Sequence, residues 1–132
     1  MPASLDDVAA IAEALPDVTV GEKHGRRTWL VSTKSFAWER PLTKADIKRW
    51  GDSSLPSDPI VAVSVDDLAE KEAVLAEGAK GVFDMAHFNG YPAVLIELGA
   101  VHQRTLQRLV TDAWLAQAPT KLAESYLASK RR

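Results

Sequence analysis

Residues 82–98, VFDMAHFNGYPAVLIEL, carry the strongest local fold signal in the chain. The pair Asn89-Gly90 lies between two apolar segments, Val82–Met85 and Pro92–Leu98. Asn-Gly is typical of two-residue β-hairpin loops, because a type I′ turn requires a positive φ at both central positions. The stretch therefore predicts an antiparallel hairpin whose tip is Asn89-Gly90.

A second hairpin is predicted upstream of the first. Thr28–Thr33 and Phe36–Arg40 are rich in aromatic and β-branched residues, and the polar pair Lys34-Ser35 separates them. Strict alternation along the second arm would place Phe36 and Trp38 on one face of the sheet. Two further strands are predicted, over residues 18–23 and 60–65.

Capping motifs mark the predicted helix starts. Each has a Ser, Thr or Asp followed three residues later by an acidic residue, at Ser4/Asp7, Thr43/Asp46 and Asp67/Glu70. An apolar stripe predicts a longer helix over Val101–Ala118, and Pro119 opens a shorter one. Strands joined mostly by hairpins favour an α+β fold in two layers, an antiparallel sheet with helices packed on one face. We expect a single domain over residues 1–132, with SKRR at its end as a frayed tail.

Composition excludes several function classes. The 132 residues include no cysteine, so disulfides, thiolate metal sites and cysteine nucleophiles are absent. The amino-terminal stretch lacks the basic and apolar regions of a signal peptide, and no apolar run approaches the roughly 20 residues of a membrane span. We therefore expect a cytoplasmic protein that does not contact membranes.

His87 is the residue that most invites a catalytic interpretation. It has Asp84 nearby, but the chain has no nucleophile elbow, and His24 and His102 are isolated in sequence. Spacings typical of metal ligands are absent as well. We therefore predict a protein that is not an enzyme and binds no metal or cofactor. The turn residues would be structural, with the His87 ring donating to a backbone carbonyl; they are His87, Asn89, Gly90, Tyr91 and Pro92.

Residues 78–81, GAKG, match the G-x-x-G pattern of the loop with which KH domains clamp a nucleic-acid backbone. That loop joins two helices, whereas this one leads from a predicted helix into a predicted strand. Helix termination at Gly78 is the favoured interpretation.

Charge is strongly segregated along the chain. The net charge is −2, yet residues 21–50 hold eight Lys and Arg against three Asp and Glu, and residues 101–132 hold six against two. Four aromatic residues are interleaved with the first basic segment. Basic side chains beside a β-ribbon are suited to phosphates, although the aromatics can equally belong to the core. The candidate nucleic-acid-binding residues are Lys23, Arg26, Arg27, Lys34, Arg40, Lys44, Lys48 and Arg49.

Three motifs, KSFAWERPL, HFNGYPAVLIEL and DAWLAQAPTKL, occur in this order and spacing. Together they resemble the YjbR/MmcQ-like family of small bacterial proteins, over nearly the whole chain. The resemblance implies a two-layer α/β fold with an antiparallel sheet, similar to secretion chaperones and CyaY-like proteins. Members are commonly labelled DNA-binding in a double-wing form, which would make the hairpin over 26–40 a wing. Members often have Asp at the position of Asn89, and both residues tolerate a left-handed turn.

Three functions follow as hypotheses. The first is a DNA- or RNA-binding domain that uses the basic hairpin on phosphates. The second is a chaperone-like adaptor for a protein partner, or a homodimer, with no role in nucleic-acid binding. The third is an enzyme or small-ligand binder with His87, Asn89 and Tyr91 at a pocket.

Overall fold

The computed structural model describes residues 2–51 and 55–130. Within these ranges the chain forms five α-helices and a six-stranded sheet. The helices are α1 (Leu5–Glu13), α2 (Lys44–Trp50), α3 (Leu68–Ala76), α4 (Gln103–Gln117) and α5 (Thr120–Lys130). The strands are β1 (Val18–Lys23), β2 (Arg26–Val31), β3 (Lys34–Glu39), β4 (Ile60–Ser64), β5 (Val82–Phe83) and β6 (Ala93–Glu97).

The sheet has the strand order β1-β2-β3-β4-β6-β5, and every neighbouring pair is antiparallel. The long helix α4 packs across β3 and β4, and α1 packs on α4 and on the β1–β2 end. The main hydrophobic core lies between these helices and the sheet. The predicted two-layer α+β fold with an antiparallel sheet is therefore confirmed.

Two buried tryptophans tie the helical layer to the rest of the chain. The indole N–H of Trp29, on β2, donates to Glu13 of α1 at 3.2 Å, and that of Trp114, on α4, donates to the carbonyl of Pro16 at 3.0 Å. Burying a tryptophan requires a partner for its N–H, and each ring finds one. The helices thus cover this face of the sheet, and both buried indole N–H groups have hydrogen-bond acceptors.

A β-bulge changes the predicted facing of the second hairpin. The register between β2 and β3 shifts next to Trp29 and Leu30, and Phe36 is the residue left without a partner. As a result Phe36 and Ala37 both join the main core, whereas Trp38 packs on the opposite face. The prediction that Phe36 and Trp38 share a face is wrong, because strict alternation does not survive an inserted residue.

The opposite face of the sheet carries a smaller apolar cluster. Ile60, Ala62 and Leu95 of the central strands contact Phe88, and Trp38, Leu42, Trp50 and Phe83 pack partly buried around them. Helix α2 reaches this cluster through Trp50, whose ring meets Phe83 edge-on at 5.8 Å. This cover lies over the centre of the sheet and leaves the β1–β3 end open.

The turn at Asn89-Gly90 differs from the prediction. Asn89 has φ −58° and ψ 127° and Gly90 has φ +74°, which is the pattern of a type II turn, and Ala86–Phe88 form a 3₁₀ turn before it. The amide of Tyr91 closes the turn on the carbonyl of Phe88 at 3.0 Å. The predicted type I′ hairpin is therefore wrong at its tip, although β5 and β6 do pair antiparallel. Within the described ranges the cis peptide bond is at Asp58–Pro59, not before Pro92.

The helix boundaries follow the predicted capping motifs. Ser4 and Thr43 form capping boxes with Asp7 and Asp46, and Asp67 accepts from the amide of Glu70. Gly78 has φ +66° directly after α3, so the G-x-x-G pattern ends a helix as predicted. The frayed tail is corrected in part, since Ser129 and Lys130 belong to α5, and residues 131–132 lie outside the described ranges. So do residues 52–54 of the predicted loop. No helix within the described ranges has the length and hydropathy to cross a membrane.

Candidate anion-binding cleft

A cleft of about 700 Å³ opens on the face of the sheet opposite α1 and α4. The open end of β2 and β3 forms the floor of the cleft. The β1–β2 turn forms one wall, and residues 87–91 form the other. Lining residues are Lys23, His24, Arg26, Thr28, Ser35, Trp38, Glu39, Arg40, Pro41, Thr43, His87 and Tyr91. This is the size of a ligand site, with cationic and aromatic groups on one surface.

Three of the eight predicted basic residues, Lys23, Arg26 and Arg40, converge on this cleft. Arg26 is paired with Lys23 across β1 and β2, so their side chains leave the same face of the sheet. Arg40 follows the end of β3, and its amide donates to Ile60 at 2.8 Å. Lys23 and Arg26, beside the β1–β2 turn, therefore form one cationic wall of the cleft together with Arg40 after β3.

The other five basic residues are outside the cleft. Arg27 alternates to the helical face, where its guanidinium lies 3.6 Å from Asp6. Lys34 starts β3, at the opposite end of the hairpin, and pairs with Val31. Lys44 and Lys48 are exposed on α2, and Arg49 borders a separate small pocket beside Trp50. The eight candidates therefore do not all line the cleft, and a strand sends the adjacent Arg26 and Arg27 to opposite faces of the sheet.

Carboxylates accompany the arginines of the cleft. Arg26 lies 3.8 Å from Glu39, and Arg40 lies 3.0 Å from Asp46, which also attracts Arg49 at 3.8 Å. Among the described residues, Lys23 has no carboxylate within ion-pair distance. The cleft wall therefore has one uncompensated cation and two that are held in place by acidic partners.

Asp46 is the fixed point behind this wall. Burial alone would raise the pKa of its carboxyl, but hydrogen bonds from the Thr43 amide and hydroxyl, together with Arg40, outweigh that effect and lower the pKa. Asp46 thus stays ionised at neutral pH. It caps α2 and orients the Arg40 guanidinium at the same time.

Aromatic rings line one part of the site. The Trp38 and Phe88 rings are stacked with centroids 6.5 Å apart, and Tyr91 meets Phe88 edge-on at 5.9 Å. The guanidinium of Arg40 lies over Phe88 at 5.6 Å, a cation–π contact. Together with His87 these four residues line an inner cavity of about 260 Å³ that adjoins the cleft.

Lys71, on α3, holds the aromatic wall from behind. Its side chain is almost fully buried, and Nζ donates to the carbonyls of Phe88 at 2.6 Å and Tyr91 at 2.9 Å. Nζ also lies 3.1 Å from Oδ1 of Asp84, which has no hydrogen-bond partner otherwise. Sequence reasoning missed this residue, because a lysine in an amphipathic helix normally faces solvent.

The predicted turn residues have separate places around the cleft. His87 is exposed and its ring, without a hydrogen-bond partner in the described part of the chain, rests 5.9 Å from Phe88. The brace predicted for His87 is therefore supplied by Lys71. Asn89 and Gly90 form the exposed tip of the turn, and the Pro92 carbonyl accepts from Val65 at 3.0 Å. Tyr91 is half-exposed, and within the described ranges no cluster of three potential metal ligands occurs.

Fold and site together define a class: a two-layer α+β protein with an antiparallel sheet and a cationic, aromatic-lined cleft on the open sheet face. No family model matches the chain. Two mycobacterial relatives, Uncharacterized protein Rv2570 of Mycobacterium tuberculosis and Uncharacterized protein Mb2600 of Mycobacterium bovis, are each 43% identical over 130 residues. The match covers 96% of this chain and 98% of each relative. The chain belongs to the family of these mycobacterial proteins.

A solved structure shares the architecture. The crystal structure of Deinococcus radiodurans protein DR2400, described as a DUF419 domain, matches with a TM-score of 0.60 at 20% identity. The alignment covers 96% of this chain and 88% of that one. At this level of identity the match establishes a common fold.

Proposed function

We propose that this protein is a non-enzymatic nucleic-acid-binding domain that holds phosphates in the cleft. The observation that carries the proposal is the convergence of Lys23, Arg26 and Arg40 on a concave surface next to the exposed ring of Tyr91 and the half-buried ring of Trp38. Cations neutralise phosphates, and aromatic faces accept bases irrespective of sequence.

Two further points support the proposal. The motifs KSFAWERPL and HFNGYPAVLIEL resemble those of YjbR/MmcQ-like proteins, which are commonly labelled DNA-binding. The ion pairs of Arg26 and Arg40, and the hydrogen bond from Arg40 to the Pro41 carbonyl, use only part of each guanidinium, because one arginine has five N–H donors. The candidate binding surface is therefore only the cleft-facing side of the basic hairpin that the sequence predicted.

Fluorescence anisotropy with labelled oligonucleotides, as single strands and as duplexes, tests this function at 50 mM salt. Lys23→Ala combined with Arg26→Ala is expected to weaken binding about tenfold or more, since two phosphate contacts are lost. Lys34→Ala is the matched control, a lysine at the other end of the same hairpin, and should change the affinity less than twofold. Absence of binding to any oligonucleotide at this salt, or an equal loss in the control, would contradict the proposal.

A second candidate function is protein binding through β1, the adaptor role also expected from the sequence. This strand is an edge of the sheet, six residues long, and its Val20 is half-exposed. An open edge of this kind can add a strand from a partner or from a second copy. Sedimentation of the pure protein should then show a dimer that Val20→Lys dissociates. A monomer at all concentrations would exclude the homodimer.

A further inference from the structure

The inner cavity has the chemistry of a base-binding site. An open space of about 260 Å³ is lined by the rings of Trp38, Phe88 and Tyr91, with Arg40 and His87 at its sides. Aromatic and guanidinium planes stack on flat conjugated rings, and neighbouring N–H groups donate to ring nitrogens and carbonyls. A planar heterocycle suits this lining better than a chain-like ligand does.

Tyr91 presents an aromatic ring to solvent on a rigid support. It is 51% exposed, and it lines both the cleft and the inner cavity. Hydrogen bonds fix its backbone on both sides: its amide N–H donates to the Phe88 carbonyl, and the Lys71 ammonium donates to its own carbonyl. A pre-positioned ring loses little conformational freedom on binding, which favours affinity.

The cleft and the inner cavity are continuous, since Trp38, Arg40, His87 and Tyr91 line both. Lys23 and Arg26 line only the larger cleft, which leaves a cationic part next to an aromatic part. A nucleotide has the same division, since an anionic phosphate is joined to a planar base. Resting on the proposed function, we propose that the protein binds single-stranded nucleic acid, with one unstacked base in the inner cavity and its flanking phosphates at Lys23 and Arg26.

Single strands fit this geometry better than duplexes. In a duplex each base is already stacked and paired, and extracting one costs a few kcal/mol. The cationic groups also line the wall of a concave cleft, not a projecting element that enters a groove. A single strand can bring base and phosphate into the cleft without that cost.

A stacking experiment separates this inference from the proposed function. Single strands and duplexes of one sequence, each carrying one 2-aminopurine, are titrated with the protein. We expect at least about tenfold tighter binding of the single strand, with a change in 2-aminopurine fluorescence on binding. Tyr91→Ala should weaken single-strand binding about tenfold and leave duplex binding within twofold, whereas Tyr91→Phe should restore it. Leu127→Ala, at an exposed apolar residue of α5, is the control and should have no effect.

Other outcomes are equally informative. Equal binding of both forms, unchanged by Tyr91→Ala while Lys23→Ala weakens it, would overturn the base-binding inference and leave the proposed function standing. Failure to bind either form would overturn both. Thermal melting of each variant checks that it folds, and Tyr91→Leu, which retains apolar bulk without a ring, should behave as Tyr91→Ala does.

Discussion

Lys71 places a positive charge inside the protein, and three oxygen atoms surround it. A buried ammonium is costly unless it is paired and hydrogen-bonded, and here two carbonyls and the Asp84 carboxylate meet that need. The carbonyls belong to Phe88 and Tyr91, which line the inner cavity. The Lys71 side chain of α3 therefore fixes the backbone of the turn that carries the Phe88 and Tyr91 rings.

Replacing this lysine tests the brace. Lys71→Met keeps most of the volume but leaves the buried Asp84 carboxylate without its charge partner and removes one hydrogen bond from each of the two carbonyls, so we expect a loss of about 3 kcal/mol in the free energy of unfolding. Urea denaturation measures it. Lys80→Met, at an exposed lysine beyond the same helix, should change stability by less than about 0.5 kcal/mol. A loss below about 1 kcal/mol for Lys71→Met would show that Lys71 does not hold the turn.

Asp46 makes the anchoring of Arg40 dependent on pH. Its pKa is lower in the folded protein than in the unfolded chain, so its contribution is fully present above about 3.9, the ordinary pKa of aspartate, and is lost as the pH falls below that value. Asp46→Ala should therefore cost about 2 kcal/mol at pH 7 and progressively less below pH 4. Denaturation of both proteins across this range measures the difference. The exposed Asp66→Ala is the control, and a cost for Asp46→Ala that does not change with pH would contradict the linkage.

At the scale of elements, local signals were sufficient to predict most of the fold. Helix starts depend on side chains three residues apart, as at Ser4 and Thr43, and strands depend on short apolar runs, so both are visible in the sequence. The position of Asn-Gly was misleading. Positive φ at both turn residues, the condition for a type I′ hairpin, occurs instead at His24-Gly25 and at Ser32-Thr33. No local preference of Ser-Thr announces such a turn, so strand pairing must impose it.

The Ser32-Thr33 turn is consequently strained, and relieving it should stabilise the hairpin. Thr33 has φ +69°, a region that β-branched residues rarely adopt. Thr33→Gly removes the steric conflict and is expected to raise the free energy of unfolding by about 1 kcal/mol. The same substitution in an extended strand, Thr19→Gly on β1, should lower it by a similar amount. Thermal or urea denaturation gives both values, and two changes of the same sign would refute the strain argument.

At the scale of the whole molecule, the arrangement of charge could not be predicted from sequence. The described part of the second basic segment, residues 101–130, contains α4 and α5, and α4 lies on the face of the sheet opposite the cleft. The segment 21–50 is itself divided, since alternation sends Arg26 into the cleft and Arg27 to the helical face. The net charge of a segment does not show which face of the sheet each side chain occupies. The bulge at Phe36 inverts the expected faces further along the hairpin. The inner cavity was beyond prediction for the same reason, as it combines the end of β3 with the turn at 87–91, which a lysine from α3 holds in place.

The salt dependence of binding reports on this division. With Lys23, Arg26 and Arg40 each neutralising one phosphate of a single strand, log Kd should rise with log salt concentration with a slope of about 2. Lys23→Ala should reduce the slope by about 0.7, because one fewer counterion is displaced, whereas Lys121→Ala, on α5, should leave it unchanged. Anisotropy titrations between 50 and 200 mM salt give the slopes. If both variants lower the slope equally, phosphates contact both faces of the molecule, and the binding surface extends beyond the cleft.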